Sequence, residues 1–348
     1  MAWRRSKRGI PWAHGAPKLW SAASILAAFF RPQVTSLVRI PFAIGTALRL
    51  SGSITALATP FTRDGSLDLD AWTRVLEKQI AAGTSAVVVA GSTGEANALD
   101  DAEYDRLLSS AVAVLRGRIG VLAGTGLPNT AKTIALTRRA AALGVDAALV
   151  VTPPYVRPTP EGLVAHYRAV ADEGGLPVVL YNVPGRTGVD MAPATVAVLA
   201  GHPRIVGLKE AVGDAGRWGE LAPLASPGFA LLSGDDPTFV RAMRAGAAGV
   251  VSVASNLVPK AFAAICADAR AGRWDAAASR DAALAPLYDF LAVAPNPIPL
   301  KAALAALGLG HGLRLPLLPL PPADAAALPA ILDLIARAEA DAPAALAA

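Results

Sequence analysis

Cysteine is all but absent: Cys266 is the only one in 348 residues. A single thiol excludes an intrachain disulfide framework and any zinc or iron–sulfur centre built from several cysteines. A reducing, cytoplasmic setting fits that scarcity. Histidine is almost as rare, and His14, His166, His202 and His311 stand far apart with no H-E-x-x-H or other paired ligand spacing, so no metal site is expected. Long apolar runs are missing too. The stretch Ser21 to Phe30 is too short to span a bilayer and ends at Arg31-Pro32, so no membrane association is expected.

Acidic residues are missing from the start of the chain, where none precedes Asp64. That absence explains the net charge of +5, because eight of the 32 Lys and Arg fall within residues 1–50 and leave 24 basic against 27 acidic residues after them, a net of −3. The body therefore lacks the electrostatic footprint of a phosphate-backbone binder, and no nucleic-acid partner is expected. Residues 1–50 read as a basic leader without periodicity or turn grammar. They suit a disordered extension or a start codon assigned too early, while a basic start followed by a short apolar run also occurs in signal peptides.

With 53% hydrophobic residues, the chain can bury a sizeable core. After residue 51 a short apolar run, a turn and an amphipathic Ala/Leu stretch recur. The runs are Ile54–Thr59, Ala86–Ala90, Ile119–Ala123, Ala147–Thr152, Pro177–Tyr181, Ile205–Leu208, Phe229–Leu232 and Gly249–Val253. Helical segments separate them, among them Asp70–Ala82, Asp101–Leu115, Thr130–Leu143, Glu161–Asp172 and Asp236–Ala245. Continuous apolar strands alternating with helices indicate a parallel sheet covered on both faces. The count fits an α/β fold of the (β/α)8 TIM-barrel type over residues 51–273, followed by a C-terminal helical subdomain, 274–348, with a proline-broken crossing at Leu313–Pro322. A doubly wound sheet lacks its fingerprint, because Gly124-Thr125-Gly126 runs into Pro128 and Asn129 without the third glycine.

In such a barrel, chemistry belongs at the C-terminal ends of the strands. There the chain places Gly91-Ser92-Thr93-Gly94-Glu95, then Thr152-Pro153-Pro154-Tyr155, Tyr181-Asn182 with Pro184-Gly185-Arg186-Thr187-Gly188, Lys209-Glu210, and Ser233-Gly234-Asp235-Asp236. Lys209 follows an apolar strand, whereas Lys78, Lys132, Lys260 and Lys301 fall in helical stretches. A desolvated lysine amine has a lowered pKa and can attack a carbonyl to form a Schiff base, although an edge lysine with its stem on apolar surface would look the same. Tyr181 and Tyr155 read equally as packing residues or proton donors. The Gly-Ser-Thr-Gly turn lacks the Gly-Lys-Ser/Thr ending of a nucleotide loop, but its N–H groups and hydroxyls suit a small carboxylate. Asp235-Asp236-Pro237 reads as a helix N-terminus.

The strings G-S-T-G-E, Y-N-V-P-G-R-T-G, G-L-K-E-A, S-G-D-D and P-N-P-I-P-L-K, in this order, resemble the dihydrodipicolinate synthase family from about Gly52 to Leu320. The resemblance implies a pyruvate-dependent class I aldolase or lyase, a homotetramer or homodimer, with no cofactor beyond a covalent pyruvate imine on Lys209. It further implies that Thr93 holds the pyruvate carboxylate and that Tyr181 shuttles protons through Ser92 to Tyr155 of a neighbouring subunit. Arg186 would bind the carboxylate of L-aspartate 4-semialdehyde, and Gly234 and Val251 would line the substrate pocket. Ser92 stands where synthases commonly have Thr and the sialic-acid lyase branch has Ser. Arg186 points to the synthases, since the lyase branch lacks an arginine in that string. Ala294 replaces a common Glu at no evident mechanistic cost. A sister aldolase such as N-acetylneuraminate lyase, or a keto-deoxy-sugar-acid aldolase, remains an alternative, and so does a catalytically silent barrel. In lysine-inhibited members an effector pocket uses a Glu for the ligand's ammonium. Here Lys132 aligns with that Glu, with Pro128 and Pro154 at two other donors and Asp101 and Tyr104 nearby, so feedback by lysine is expected to be weak or absent.

Overall fold

The computed structural model describes residues 48–342, which fall in one compact unit. The leader up to residue 47 and residues 343–348 lie outside the described residues. Strands β1 (Gly52–Ala56), β2 (Ala86–Val89), β3 (Gly120–Gly124), β4 (Ala147–Val151), β5 (Val178–Asn182), β6 (Ile205–Glu210), β7 (Ala230–Ser233) and β8 (Gly249–Ser252) pair in parallel, each with the next, and β8 returns to β1. The result is a closed (β/α)8 barrel. Its helices are α1 (Leu69–Ala81), α2 (Asp101–Leu115), α3 (Thr130–Ala142), α4 (Pro160–Glu173), α5 (Pro193–Ala200), α6 (Ala215–Leu221), α7 (Phe239–Arg244) and α8 (Pro259–Arg270). The C-terminal helices are α9 (Trp274–Ala282), α10 (Ala285–Ala292), α11 (Ile298–Ala306) and α12 (Leu328–Ala340).

Local chemistry sets the helix starts. The Asp68 side chain accepts from Ala71 N–H, Asp100 and Glu103 form a reciprocal capping box, Asn129 accepts from Lys132 N–H, and Thr159 accepts from Gly162 N–H just before Pro160. Each cap satisfies backbone donors that an isolated helix end leaves orphaned.

The apolar positions divide between two cores. Outward-facing strand residues such as Val87, Val121, Val150 and Leu208 pack under the helices, while Ile54, Val88, Leu122, Leu149, Val179 and Val251 fill the barrel interior. Leu48 and Leu50, which sequence division assigns to the leader, pack against that interior cluster. The seam that closes the barrel requires glycine: a Cβ on Gly249 would stand 2.1 Å from the Gly52 carbonyl oxygen.

Two boundaries differ from expectation in ways that matter. Strand β6 does not stop at Leu208 but continues through Lys209 and Glu210, so Lys209 lies on the strand rather than after it. The stretch expected as one helix from Asp236 opens with a tight 3₁₀ turn, Asp236–Thr238, and becomes α-helical only at Phe239. Among the described residues no helix is long and apolar enough to cross a membrane.

Candidate active site

Lys209 and Tyr181 are register partners on adjacent strands β6 and β5. Alternation along each strand sends both side chains toward the barrel interior, where Tyr181 packs in the same cluster as Val251. Both are buried, and the Lys209 Nζ lies 4.3 Å from the centre of the Tyr181 ring. An aromatic face attracts an ammonium by about 0.5–2 kcal/mol. Among the described residues no carboxylate is ion-paired with the Lys209 Nζ, which rests on the Tyr181 ring instead. Gly234, after β7, makes room for this side chain: a Cβ there would meet Lys209 Cε at 2.8 Å and Cγ at 3.0 Å.

The next residues along both strands point the opposite way and form a buried clamp. Asn182 Nδ2 donates to Glu210 Oε1 and Oε2 at 3.0 and 3.1 Å, and to Asp190 Oδ1 at 2.8 Å. Arg217 Nε donates to Glu210 Oε2 at 3.0 Å, and the same guanidinium grips Asp190. Burial pushes the Glu210 carboxyl above the ordinary carboxylate range, while the N–H of Val212 and the charge of Arg217 pull it back. Two consecutive polar residues at each strand end are thus accounted for, one facing the interior and one tying β5 to β6.

A second group of residues is assembled around Asn296, in the connection between α10 and α11. Its Nδ2 donates to Thr93 Oγ1 at 3.0 Å, and its backbone carbonyl accepts from Arg186 Nη2 at 2.9 Å. Because Thr93 Oγ1 accepts from Asn296, its own O–H remains available to donate to an anion. Thr93 is buried and Arg186 exposed. Sequence reasoning missed Asn296 as a site residue. In the sequence the P-N-P string serves only as a marker of resemblance.

It also missed that Lys301 is buried like Lys209. Lys301 lies in α11, ion-paired to Glu95 of the Gly-Ser-Thr-Gly-Glu turn. Burial brings its ammonium down to about 8 despite the attraction of Glu95. A lysine inside the apolar stretch I-P-L-K-A-A-L was the available signal.

The remaining expected members are not joined within one chain. Ser92 is exposed, and Tyr155 is 92% exposed at the tip of its loop with φ at +73°, a left-handed conformation unusual for a tyrosine. Its backbone N–H donates to the Thr187 carbonyl at 3.1 Å. Among the described residues no side-chain hydrogen bond connects Tyr181, Ser92 and Tyr155. Nor does any group of three or more His, Cys, Asp or Glu among them have the arrangement of a metal site.

The chain matches the dihydrodipicolinate synthetase family over residues 49–335. It is 62% identical over 293 residues to the 4-hydroxy-tetrahydrodipicolinate synthase of Stenotrophomonas maltophilia strain K279a, covering 84% of this chain and 99% of that one. To the enzyme of the same name from Xanthomonas axonopodis pv. citri it is 61% identical over 289 residues, covering 82% and 96% respectively. Among solved structures, the chloride-inhibited dihydrodipicolinate synthase of Acinetobacter baumannii complexed with pyruvate superposes with a TM-score of 0.81 at 41% identity, over 83% of this chain and 99% of that one.

Proposed function

The chain belongs to the dihydrodipicolinate synthetase family, and we propose that its barrel mouth condenses pyruvate with L-aspartate 4-semialdehyde through a Schiff base on Lys209. It is an enzyme of the lyase type, a 4-hydroxy-tetrahydrodipicolinate synthase in activity. The single observation that carries the site assignment is the Lys209–Tyr181 contact: a buried lysine whose Nζ rests on an aromatic ring.

In this reading the neutral Lys209 amine adds to the pyruvate carbonyl carbon, and water leaves as the imine forms. The imine draws electrons from the adjacent methyl group, which loses a proton and becomes the nucleophilic carbon of an enamine. That carbon attacks the aldehyde, forming a carbon–carbon bond and an alcohol. The amino group of the aldehyde substrate then attacks the imine carbon and displaces Lys209, closing the ring and freeing the enzyme. One water is lost over the whole sequence. No resident metal or organic cofactor is needed, because the imine is the electron sink.

Thr93 binds the pyruvate carboxylate through its free O–H, and Arg186 binds the carboxylate of the aldehyde by a charge-assisted contact. Val251 and Gly234 line the space around Lys209, and Tyr181 exchanges protons with the reacting atoms. The proton path continues through Ser92 to Tyr155 of a neighbouring subunit in a homotetramer or homodimer. The outward reach of Tyr155 supports that assignment, since an exposed aromatic at a loop tip is free to enter another copy. A solved relative is a monomeric variant, 38% identical with a TM-score of 0.80 over 82% of this chain and 97% of that one. We place residues 51–273 as the catalytic barrel and 274–348 as a helical subdomain, in a cytoplasmic enzyme. Arg186 favours aspartate semialdehyde over the sugar-derived aldehydes of the sister aldolases.

Borohydride reduction in the presence of pyruvate tests the reading. It converts the imine to a stable secondary amine, and peptide mass spectrometry should find the added mass at Lys209 alone. Label on another residue, or label persisting in Lys209→Ala, overturns it.

A further inference from the structure

The turn that carries Thr93 is held from outside the barrel by the C-terminal helices. Glu95 adopts φ of +51° and Ala90 φ of +53°, so left-handed non-glycine residues bracket the turn. Such conformations persist only where the surroundings over-determine them. Thr59 Oγ1 donates to the Gly94 carbonyl at 2.7 Å, which fixes one side. On the other, the Glu95 carboxylate lies between two groups from the far end of the chain. Lys301 Nζ donates to Oε1, and Arg314 N–H donates to Oε2 at 3.1 Å.

The Lys301 ammonium also stands 4.0 Å from the centre of the Phe61 ring, and the Arg314 guanidinium 4.1 Å from it. Arg314 is itself paired with Glu103. The acid, the two cations and the ring thus satisfy one another with little solvent. Lys301 follows Asn296 on the same segment, one turn into α11, and Asn296 is the residue that grips Thr93. The segment 296–301 therefore holds the turn twice, at Thr93 and at Glu95.

We propose that the buried Glu95–Lys301 ion pair is a positioning pair for keto-acid binding, setting the place of Thr93 through the Gly-Ser-Thr-Gly-Glu turn. This makes the C-terminal helices part of the substrate site rather than an appendage to it. The inference rests on the reading of Thr93 as the residue that binds the pyruvate carboxylate.

The test is steady-state kinetics on Glu95→Gln, Lys301→Met and the double variant, with melting temperature measured alongside. Each single variant leaves a buried charge or its partner uncompensated, which lowers melting temperature. It should also raise the KM for pyruvate on the order of tenfold, with kcat at saturating pyruvate changed less than threefold, because a misplaced binding group costs affinity for the ligand it touches. The double variant removes both charges, so melting temperature should recover while the pyruvate KM stays raised. A single-variant pyruvate KM within twofold of wild type overturns the proposal. If a single variant is too unstable to assay, the double variant decides: a raised KM supports the pair as a positioning device and a wild-type KM overturns it. Borohydride trapping of pyruvate by the wild-type enzyme is the separate control, since its failure would count against the Schiff-base reading and leave the pair's effect on KM to be judged on its own.

Discussion

Gly234 lies against the stem of Lys209, so closely that a single methyl group there would overlap Cε at 2.8 Å. The nearest atom is the far part of a flexible side chain, the backbone Cα of Ala211 stands further off at 3.3 Å and need give only slightly, and Gly234 is outside the left-handed region. Gly234→Ala should therefore leave the fold intact and displace the lysine. A shift of about 1 Å at a reacting group costs on the order of a hundredfold in rate. The expected result is kcat/KM lowered by about that factor, with melting temperature within a few degrees of wild type. Unchanged turnover would show that Lys209 has a second, equally competent position.

Arg186 and Lys209 should serve different substrates. Arg186→Ala is expected to keep pyruvate trapping by borohydride and to lose condensation with aspartate semialdehyde. A charge-assisted hydrogen bond is worth about 1.5–3 kcal/mol, or roughly tenfold to a hundredfold. The guanidinium is anchored at the Asn296 carbonyl at 2.9 Å, so it is held in place before the aldehyde arrives. Wild-type kinetics for the semialdehyde in this variant would move the assignment toward a sister aldolase.

His166 gives a stability prediction independent of catalysis. It is buried between α4 and α3, with Nδ1 on the Thr130 hydroxyl at 3.0 Å and Nε2 unpartnered. Burial pulls its pKa down from 6.5 to about 4. The folded state thus prefers the neutral ring, and in the window between those values the unfolded state binds more protons. The contribution is complete above about pH 6.5 and is lost as pH falls toward 4, amounting at most to about 3 kcal/mol. Thermal denaturation across that window should show wild type losing stability more steeply than His166→Gln. Parallel curves would mean the ring is hydrated in the folded protein.

Much of this architecture was legible in the sequence because parallel strands buried on both faces leave continuous apolar runs, and each of the eight runs became a strand. What hydrophobicity could not see is polar burial satisfied by partners distant in sequence. Strand β6 continues through Lys209-Glu210 because Glu210 finds Asn182 and Arg217. Composition cannot report such a clamp. Lys301 read as an ordinary helical lysine because its partner, Glu95, lies 206 positions away. The positive φ of Glu95 and Tyr155 was invisible for a related reason. Only glycine announces that conformation, and here tertiary contacts impose it on residues that disfavour it.

Regulation provides the last expectation. The family resemblance drawn from the sequence sets Lys132 at the position where lysine-inhibited members are expected to hold the effector's ammonium with a Glu. The side chain of Lys132 is exposed in the first turn of α3, where it presents a cation to a cationic ligand. Like charges repel where opposite charges should bind. The neighbouring groups do not compensate. Tyr104 is buried with its hydroxyl donated to the Gly124 carbonyl, and Asp101 is occupied by Arg139. Pro128 and Pro154 have no side-chain donor or acceptor to offer. An effector that binds no conformation preferentially cannot shift an equilibrium between them. Millimolar lysine should therefore leave the initial rate unchanged at subsaturating pyruvate. Clear inhibition in that assay would defeat the argument and require an effector pocket made of other residues.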